Sequence, residues 1–236
     1  MRRAGKLLQD VQAFLQKNIR EGITTISLDK IAEKYIRDQG AVPSFKNYQG
    51  YPATLCTMVN SEVVHAIPGD KILQNGDLLS VDCGLCLQGL HVDAAFSMIV
   101  GGDEQNKGRA QFSQCVKEAL LAGCRAAKHG NHTGDIGRAI ETVIHKGGYD
   151  ICPEYTGHGI GYELHEDPWI FNYGTPGAGE RLVEGMTICI EPIVARGNPQ
   201  VKVLNNKWTV VTRDGRDACQ WEHCGVVTKN GLEIFV

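Results

Sequence analysis

The chain has 236 residues, of which 42% are hydrophobic, and its formal net charge is -3 at pH 7. That length and hydrophobic content suffice for one large globular domain with a substantial core. The near-neutral charge gives no general attraction to nucleic acid or to an anionic membrane, and no segment approaches the roughly 20 apolar residues of a membrane span. We therefore expect a soluble protein with small-molecule or peptide partners.

The cysteines and the N-terminal segment indicate the cellular compartment of the protein. Nine cysteines are an odd number with irregular spacing, and several, such as Cys56, Cys189 and Cys224, stand singly in apolar segments. This pattern is typical of buried free thiols and not of a disulfide framework. The start, MRRAGKLLQDVQAF, has no uninterrupted apolar stretch, so a signal peptide is not predicted. We expect a reducing, cytoplasmic location.

Two helices are predicted at the beginning of the chain. Apolar residues from Leu7 to Ile19 recur at helical spacing, and Gly22 ends the pattern. A second helix is predicted with Ser27 as its N-cap and with Gly40 in the left-handed position that commonly follows a helix. Four short segments rich in strand-forming residues follow, namely 41–45, 53–59, 78–87 and 96–101.

The second half repeats this order of helices and strands. Residues 104–129 and 134–147 return to helical spacing, and Thr133 is the predicted N-cap of the latter. The strand segments after them are 186–195, 207–212, 218–228 and 232–236. Two helices followed by strands, twice, suggest two similar halves, although no repeat of individual residues is visible. The predicted fold class is α+β with a central, largely antiparallel sheet.

Two acidic residues lie inside the apolar strand segments. Asp82 and Asp93 flank a predicted turn at Gln88-Gly89, and in a hairpin they lie on neighbouring strands and face the same side. Burying carboxylates is costly without a counter-charge, and two acids on one face repel each other. Divalent cations shared between the two carboxylates would offset both costs.

Three more candidate ligands occur in the second half. His158 lies between glycines in TGHGIG, Glu191 precedes Pro192 in MTICIEPIV, and Glu222 lies in a late strand segment. Any one of these side chains is more often structural than functional. As a set, one histidine with four carboxylates suits Mn, Fe(II) or Co and tolerates Zn, so the ligand types alone do not select the metal.

The order and spacing of these motifs resemble a known family. The segments are EVVHAIP, NGDLLSVDCG, LHVDAAFSMIVG, TGHGIGYELHEDP, GMTICIEPIV and QWEHCGVV. Across nearly its whole length the chain resembles the type I methionine aminopeptidases of the pita-bread fold. The resemblance implies one catalytic domain, residues 1–236, built from two pseudo-symmetric halves with a central, largely antiparallel sheet covered by helices.

The resemblance also implies residue roles. Two divalent ions, Co, Mn, Fe(II) or Zn, would be held by five ligands, of which Asp93 and Glu222 bridge: Asp82, Asp93, His158, Glu191 and Glu222. Hydroxide generated at the ions would attack the scissile carbonyl, and Glu191 would shuttle its proton. Two further histidines would donate hydrogen bonds to the substrate and to the developing oxyanion: His65 and His165. Four side chains would line the pocket for methionine: Tyr48, Tyr51, Cys56 and Trp208.

The chain departs from the family pattern in one loop and at three further positions. Where the family commonly has Cys-His before Gly-Ile-Pro, Val64 leads directly into His65 and Ala66, so this loop is one residue shorter and His65 is expected in a slightly different position. Ala94 stands where a threonine usually follows the second aspartate, which removes a hydrogen bond near the metal ligands. Leu164 replaces a bulky phenylalanine before His165, and Phe45 replaces a smaller residue near the pocket. These two replacements predict a methionine pocket of altered shape.

The predicted activity is removal of initiator methionine from nascent proteins and peptides whose second residue is small. We expect a monomer in the cytoplasm, with transient contact with the ribosome and no nucleic-acid or membrane partner. One alternative is a proline-directed relative, such as an X-Pro aminopeptidase, a prolidase or a creatinase, but those carry a long N-terminal domain for which this chain has no room. Another is a non-catalytic binding protein of the same fold, but all five ligands are intact.

Two motifs suggest other chemistry and carry little weight. Cys83 and Cys86 form a C-x-x-C pair, but positions three apart on a strand point to opposite faces and no second pair stands at zinc-finger spacing. The segment GTPGAGE, residues 174–180, lacks the Lys-Ser/Thr of a phosphate loop and no helical pattern follows it. We predict a plain loop there.

Overall fold

The computed structural model describes residues 1–236. It contains four α-helices: α1 Arg2–Asn18, α2 Thr25–Asp38, α3 Lys107–Ala126 and α4 Thr133–Lys146. Its fifteen strands are β1 Val42–Pro43, β2 Leu55–Val59, β3 Glu62–Val64, β4 Leu78–Leu87, β5 Leu90–Ile99, β6 Asp150–Ile151, β7 Gly157–Gly159, β8 Glu166–Ile170, β9 Thr187–Ile190, β10 Ile193–Ala195, β11 Val201–Val203, β12 Val210–Thr212, β13 Ala218–Gln220, β14 His223–Val227 and β15 Leu232–Ile234. Each half begins with a helix pair and continues as strands, as the sequence predicts.

The helices α1 and α2 form where hydrophobic periodicity predicts them, but the start of α2 differs from the prediction. Its N-cap is Thr24, whose Oγ1 accepts a hydrogen bond from the N–H of Ser27 at 3.3 Å. The predicted N-cap Ser27 is therefore the third helical residue. Thr24 is extended and forms a bridge with Ile72, so the helix can begin directly after it. Gly40 has a φ of +72° and occupies the expected left-handed position.

The start of α4 also differs from the prediction. His132 is the N-cap, and its N–H donates to Oδ2 of Asp135 at 2.7 Å. The predicted N-cap Thr133 is the first helical residue instead. Its hydroxyl accepts a hydrogen bond from the N–H of Glu180 at 3.2 Å, so it serves a tertiary contact and not the helix end.

Two sheets carry most of the strands. In the first, β4 pairs with β5 along its whole length, and its other edge pairs with β2 and then with β1. In the second, the order is β15-β14-β9-β7-β8. Of two small sheets, β11-β12-β3 pairs strands of both halves and β13-β10-β6 lies within the second half, and the strand pairs are antiparallel. The α+β class predicted from the sequence is confirmed.

The core has two principal parts, one for each helix pair. The first places Leu8, Val11 and Leu15 of α1 against β4 and β5. The second packs α3 and α4 on the other large sheet, with Phe112 fully buried between them and the strands. Burying each such side chain contributes about 1.5–3 kcal/mol. None of the helices combines the length and the apolar composition needed to cross a membrane.

Candidate metal centre

The hairpin β4–β5 places two carboxylates on one face. Gln88 and Gly89 turn the chain with φ of +55° and +80°. Asp82 pairs with Ala95 and Gly84 pairs with Asp93, so the two aspartates lie diagonally across the strands on the same side, as the alternation of side chains requires. Oxygen atoms of Asp82, Asp93 and Glu222 lie within 4.8 Å of one another.

The second sheet supplies the other three candidate ligands. His158 on β7 pairs with Cys189 on β9, which pairs in turn with Cys224 on β14. Because side chains alternate along a strand, Glu191 lies on the same face as Cys189, and Glu222 on the same face as Cys224. The N–H of Glu222 donates to the carbonyl oxygen of Ala95 at 3.0 Å, which joins this sheet to the hairpin at the site.

The imidazole of His158 is oriented as a ligand. Its Nδ1 lies 2.8 Å from the carbonyl oxygen of Gly159. A carbonyl only accepts hydrogen bonds, so Nδ1 carries the proton and Nε2 keeps a free electron pair. Nε2 lies 3.7 Å from Oε1 of Glu191. Burial, with a smaller contribution from nearby His165, lowers the pKa of His158 to about 4, so the ring is neutral at pH 7.

The four carboxyl groups lack a counter-charge from the protein. Burial raises the pKa of Asp82 to about 6. Burial and the neighbouring acids together raise the pKa values of Asp93, Glu191 and Glu222 well above their ordinary values. No lysine or arginine lines the cavity that contains them. Three oxygen atoms there have no hydrogen-bond partner: Oδ1 of Asp82, Oδ1 of Asp93 and Oε1 of Glu222. This donor set fits divalent cations.

A cavity of about 370 Å³ opens over these side chains. Several apolar and aromatic side chains line it and are here called the apolar slot: Tyr48, Tyr51, Cys56 and Trp208. The rings of Tyr51 and Trp208 meet edge to face with centroids 5.1 Å apart, and the centroid of His65 lies 6.4 Å from that of Trp208. The centroid of His165 lies 4.3 Å from that of His158. One cavity is therefore lined by the apolar slot, by histidines and by the four carboxyl groups, which are here called the acidic floor.

Comparisons with known proteins agree with this arrangement. A family model described as metallopeptidase family M24 matches residues 1–229. A methionine aminopeptidase of Clostridium acetobutylicum is 43% identical over 236 residues, which are 100% of this chain and 94% of that protein. Methionine aminopeptidase 1 of Bacillus subtilis is 42% identical over 237 residues, with 100% and 94% covered. The chain belongs to metallopeptidase family M24.

Within family M24 the chain belongs to the methionine aminopeptidases. The crystal structure of methionine aminopeptidase from Rickettsia prowazekii matches it with a TM-score of 0.96 at 38% identity, covering 100% of this chain and 94% of that one. The pita-bread fold expected from the resemblance is thereby confirmed. Membership of the M24 metallopeptidases also implies divalent metal ions and peptide substrates.

The structure brings every predicted site residue of this M24 chain to the one cavity. The residues are Tyr48, Tyr51, Cys56, His65, Asp82, Asp93, His158, His165, Glu191, Trp208 and Glu222. Tyr51 presents its ring and not its hydroxyl to the cavity. The hydroxyl is occupied by hydrogen bonding to the carbonyl oxygens of Leu55 and Ala66, at 2.9 and 3.1 Å. Cys56 lies opposite Asp82 in the sheet. His65 has a φ of +55°, an uncommon backbone conformation for a non-glycine residue.

Sequence reasoning missed several residues of the M24 site. Nε2 of Gln220 donates to Oε2 of Glu191 at 3.3 Å. Gln220 stands two positions before Glu222, so strand alternation could have indicated it. Tyr155 lines the cavity with its ring centroid 5.9 Å from that of His65, and Trp169 lines the rim. Nothing in the sequence signals these two aromatics, because their position depends on how the second sheet meets the hairpin.

The Cys83/Cys86 pair and the glycine-rich segment 174–180 have the structures that the sequence predicts. Cys83 is buried and Cys86 is partly exposed, on opposite faces of β4, and both are free thiols. Residues 174–180 form a loop without helix or strand. This loop packs on the start of α4, where the N–H of Gly134 donates to the carbonyl oxygen of Ala178 at 3.0 Å.

Proposed function

We propose that the chain is a metal-dependent aminopeptidase that releases the initiator methionine from nascent proteins and peptides whose second residue is small. One observation carries this proposal: the apolar slot adjoins the carboxylate cluster through a histidine. His165 lies with its ring centroid 4.3 Å from that of His158 and its Nδ1 2.9 Å from the hydroxyl of Tyr48. A methionine side chain in the slot would therefore bring its own carbonyl to the acidic floor.

The proposed ligands are Asp82, Asp93, His158, Glu191 and Glu222, with Asp93 and Glu222 bridging two divalent ions chosen from Co, Mn, Fe(II) and Zn. Ions held there would acidify the water nucleophile and polarise the scissile carbonyl. The unpartnered oxygens of Asp82, Asp93 and Glu222 support this ligand set.

The remaining chemistry is assigned to the chain's own side chains. Glu191 would take the proton of the attacking water and pass it to the leaving amine, a role that its place in the cavity and its hydrogen bond from Gln220 support. His65 and His165 donate hydrogen bonds to the substrate carbonyl and to the oxyanion that develops from it. The thioether is received by an apolar, mostly aromatic wall: Tyr48, Tyr51, Cys56 and Trp208.

We also propose that residues 1–236 form a single catalytic domain that works as a monomer in the cytoplasm. Its contact with the ribosome would be transient, and the net charge of -3 supports the absence of nucleic-acid or membrane partners. The preference for a small second residue rests on the resemblance to the methionine aminopeptidases.

The decisive experiment is peptide hydrolysis by metal-stripped protein titrated with Mn, Co, Fe(II) and Zn. Metal-dependent release of methionine from Met-Gly-Met-Met, with no cleavage of the matching Leu- peptide, is the expected result. Cleavage before proline in non-methionine peptides would assign the chain to the proline-directed relatives. Bound metal without turnover would favour a binding protein.

A single substitution distinguishes loss of a metal ligand from loss of the folded structure. His158→Ala should abolish turnover and lower the metal stoichiometry while the circular dichroism spectrum stays unchanged. Full activity in His158→Ala would refute the ligand assignment.

A further inference from the structure

Two cysteines share the sheet face that carries three of the proposed ligands. Cys189 lies directly between His158 on one neighbouring strand and Cys224 on the other. Both thiols are fully buried. Neither cysteine has a role in the proposed mechanism and neither lines the cavity, yet Cys189 is the strand neighbour of His158, which does line it.

One of the two thiols lies close to two of the proposed ligands. The nitrogen of His158, the sulfur of Cys189 and an oxygen of Glu222 lie within 4.8 Å of one another. Tetrahedral zinc with such ligands holds them about 3.4–3.8 Å apart, so the three atoms need to approach by only about 1 Å. Oε1 of Glu222 is buried and has no hydrogen-bond partner.

The centre is therefore chemically unequal on its two sides. On one side, Asp82, Asp93 and Glu222 offer oxygen atoms only. On the other side, Glu222 is joined by the imidazole of His158 and the thiol of Cys189. Carboxylates suit hard ions such as Mn²⁺, whereas thiolate and imidazole suit softer ions such as Zn²⁺.

We propose that Cys189 is a further metal ligand and makes the His158 side of the centre selective for thiophilic divalent ions, namely Zn²⁺, Co²⁺ or Cd²⁺. The inference rests on the metal centre of the proposed function. When the ion binds, the Cys189 thiol releases its proton to solvent and the sulfur binds as thiolate. The Asp82 side keeps its preference for harder ions.

The test is the absorption spectrum of Co²⁺-loaded full-length protein, recorded with its metal stoichiometry. Thiolate bound to Co²⁺ gives a strong near-ultraviolet charge-transfer band that oxygen and nitrogen ligands do not give. We expect this band in the unaltered chain and its loss in Cys189→Ser with Co²⁺ still bound. Cys224→Ser is the matched control, since it removes the adjacent thiol on the same face, and Cys56→Ser removes the thiol that lines the cavity; both should keep the band.

A second measurement gives the selectivity. In Cys189→Ser the affinity for Cd²⁺ should fall by at least about 10-fold, while the affinity for Mn²⁺ should change by less than about twofold. Cys189→Thr, which retains a strand-forming residue, repeats the test if the serine variant folds poorly.

The outcomes separate this inference from the proposed function. A Co²⁺-loaded, methionine-releasing protein without the band would overturn the Cys189 ligand and leave the aminopeptidase intact. A band that survives in Cys189→Ser, or that is lost only in Cys224→Ser or Cys56→Ser, would also overturn it. Failure of the unaltered chain to bind Co²⁺ while it binds Mn²⁺ would overturn the Cys189 ligand alone, and failure to bind any of Co²⁺, Mn²⁺, Fe²⁺ and Zn²⁺ would contradict both.

Discussion

Nδ1 of His165 lies 2.9 Å from the hydroxyl of Tyr48. This contact joins a proposed donor to the substrate with a wall of the proposed methionine pocket. When the phenol donates to Nδ1, the neutral ring keeps its proton on Nε2, which is the atom left to face the substrate. The position of Tyr48, a proposed wall of the methionine pocket, is thus coupled to the protonation of His165, a proposed donor to the substrate.

Loss of the Tyr48 hydroxyl should slow turnover. In Tyr48→Phe, we expect kcat for Met-Gly-Met-Met to fall by about 10-fold, as for other partners that orient an active-site histidine. KM should change little, because the ring remains in the pocket. Tyr162→Phe is the control, since Tyr162 precedes His165 in the same loop and is 79% exposed. An unchanged kcat in Tyr48→Phe would remove the hydroxyl from the mechanism.

Phe45 should limit the length of the side chain that the pocket accepts. A Cβ placed at Gly84 would lie 2.9 Å from Cε1 of Phe45 and 3.2 Å from Oδ1 of Asp93, so the phenylalanine ring packs on the glycine beside that carboxylate. In Phe45→Ala, the ratio of kcat/KM for N-terminal ethionine over methionine should rise by about 10-fold, the effect of one methylene in an apolar pocket. Phe14→Ala, which alters a ring packed on Tyr35 outside the cavity, should leave the ratio unchanged.

The buried carboxylates should make the metal-free protein less stable as pH rises. Burial raises the pKa of Asp82 from 3.8 to about 6, so the folded state binds more protons than the unfolded chain between these values. The destabilisation is absent below the lower pKa and complete above the higher one. Chelator-treated protein should therefore lose about 5 °C in Tm between pH 4.5 and 7.

Metal and a single substitution provide the controls for this pH dependence. Saturating Mn²⁺ should abolish the fall in Tm because bound cations neutralise the charges. In metal-free Asp82→Asn the fall should be smaller, since one titrating carboxyl is gone. Equal Tm values at the two pH values in the metal-free chain would contradict the raised pKa of Asp82 in the folded state.

Asp29 should stabilise the start of the strand that carries Cys56. Its Oδ1 accepts hydrogen bonds from the N–H groups of Thr54 and Leu55 at 2.9 and 2.8 Å, and the residue is 5% exposed. Asp29→Ala leaves two buried donors unpaired, which should lower the free energy of unfolding by about 2 kcal/mol in urea titrations.

Asp38→Ala on the same helix is the matched control. Asp38 contacts Lys34 at 2.6 Å, but both side chains are more than half exposed. Its removal should change the free energy of unfolding by less than about 0.5 kcal/mol. Equal effects of Asp29→Ala and Asp38→Ala would contradict a structural role for the Asp29 hydrogen bonds.

Features that depend on local periodicity, namely helix positions and strand faces, could be predicted from the amino-acid sequence. Helical spacing located α1 and α4, and strand alternation with the turn at Gln88-Gly89 placed Asp82 and Asp93 on one face. Side-chain direction repeats with a fixed period in each element, so a few residues of sequence are enough to assign a face. The resemblance to the family could also be recognised from the sequence, because it depends on the order and spacing of motifs along the chain.

The contacts between the two halves could not be predicted from local sequence patterns. The N-caps of α2 and α4 are Thr24 and His132, not the predicted Ser27 and Thr133. The backbone of Thr24 forms a bridge with distant Ile72, and the hydroxyl of Thr133 accepts a hydrogen bond from distant Glu180. The neighbours of the proposed ligands, Gln220, Tyr155 and Cys189, likewise depend on strand partners far away in the chain. Pairing between distant strands is set by packing of the whole core, which no local period encodes.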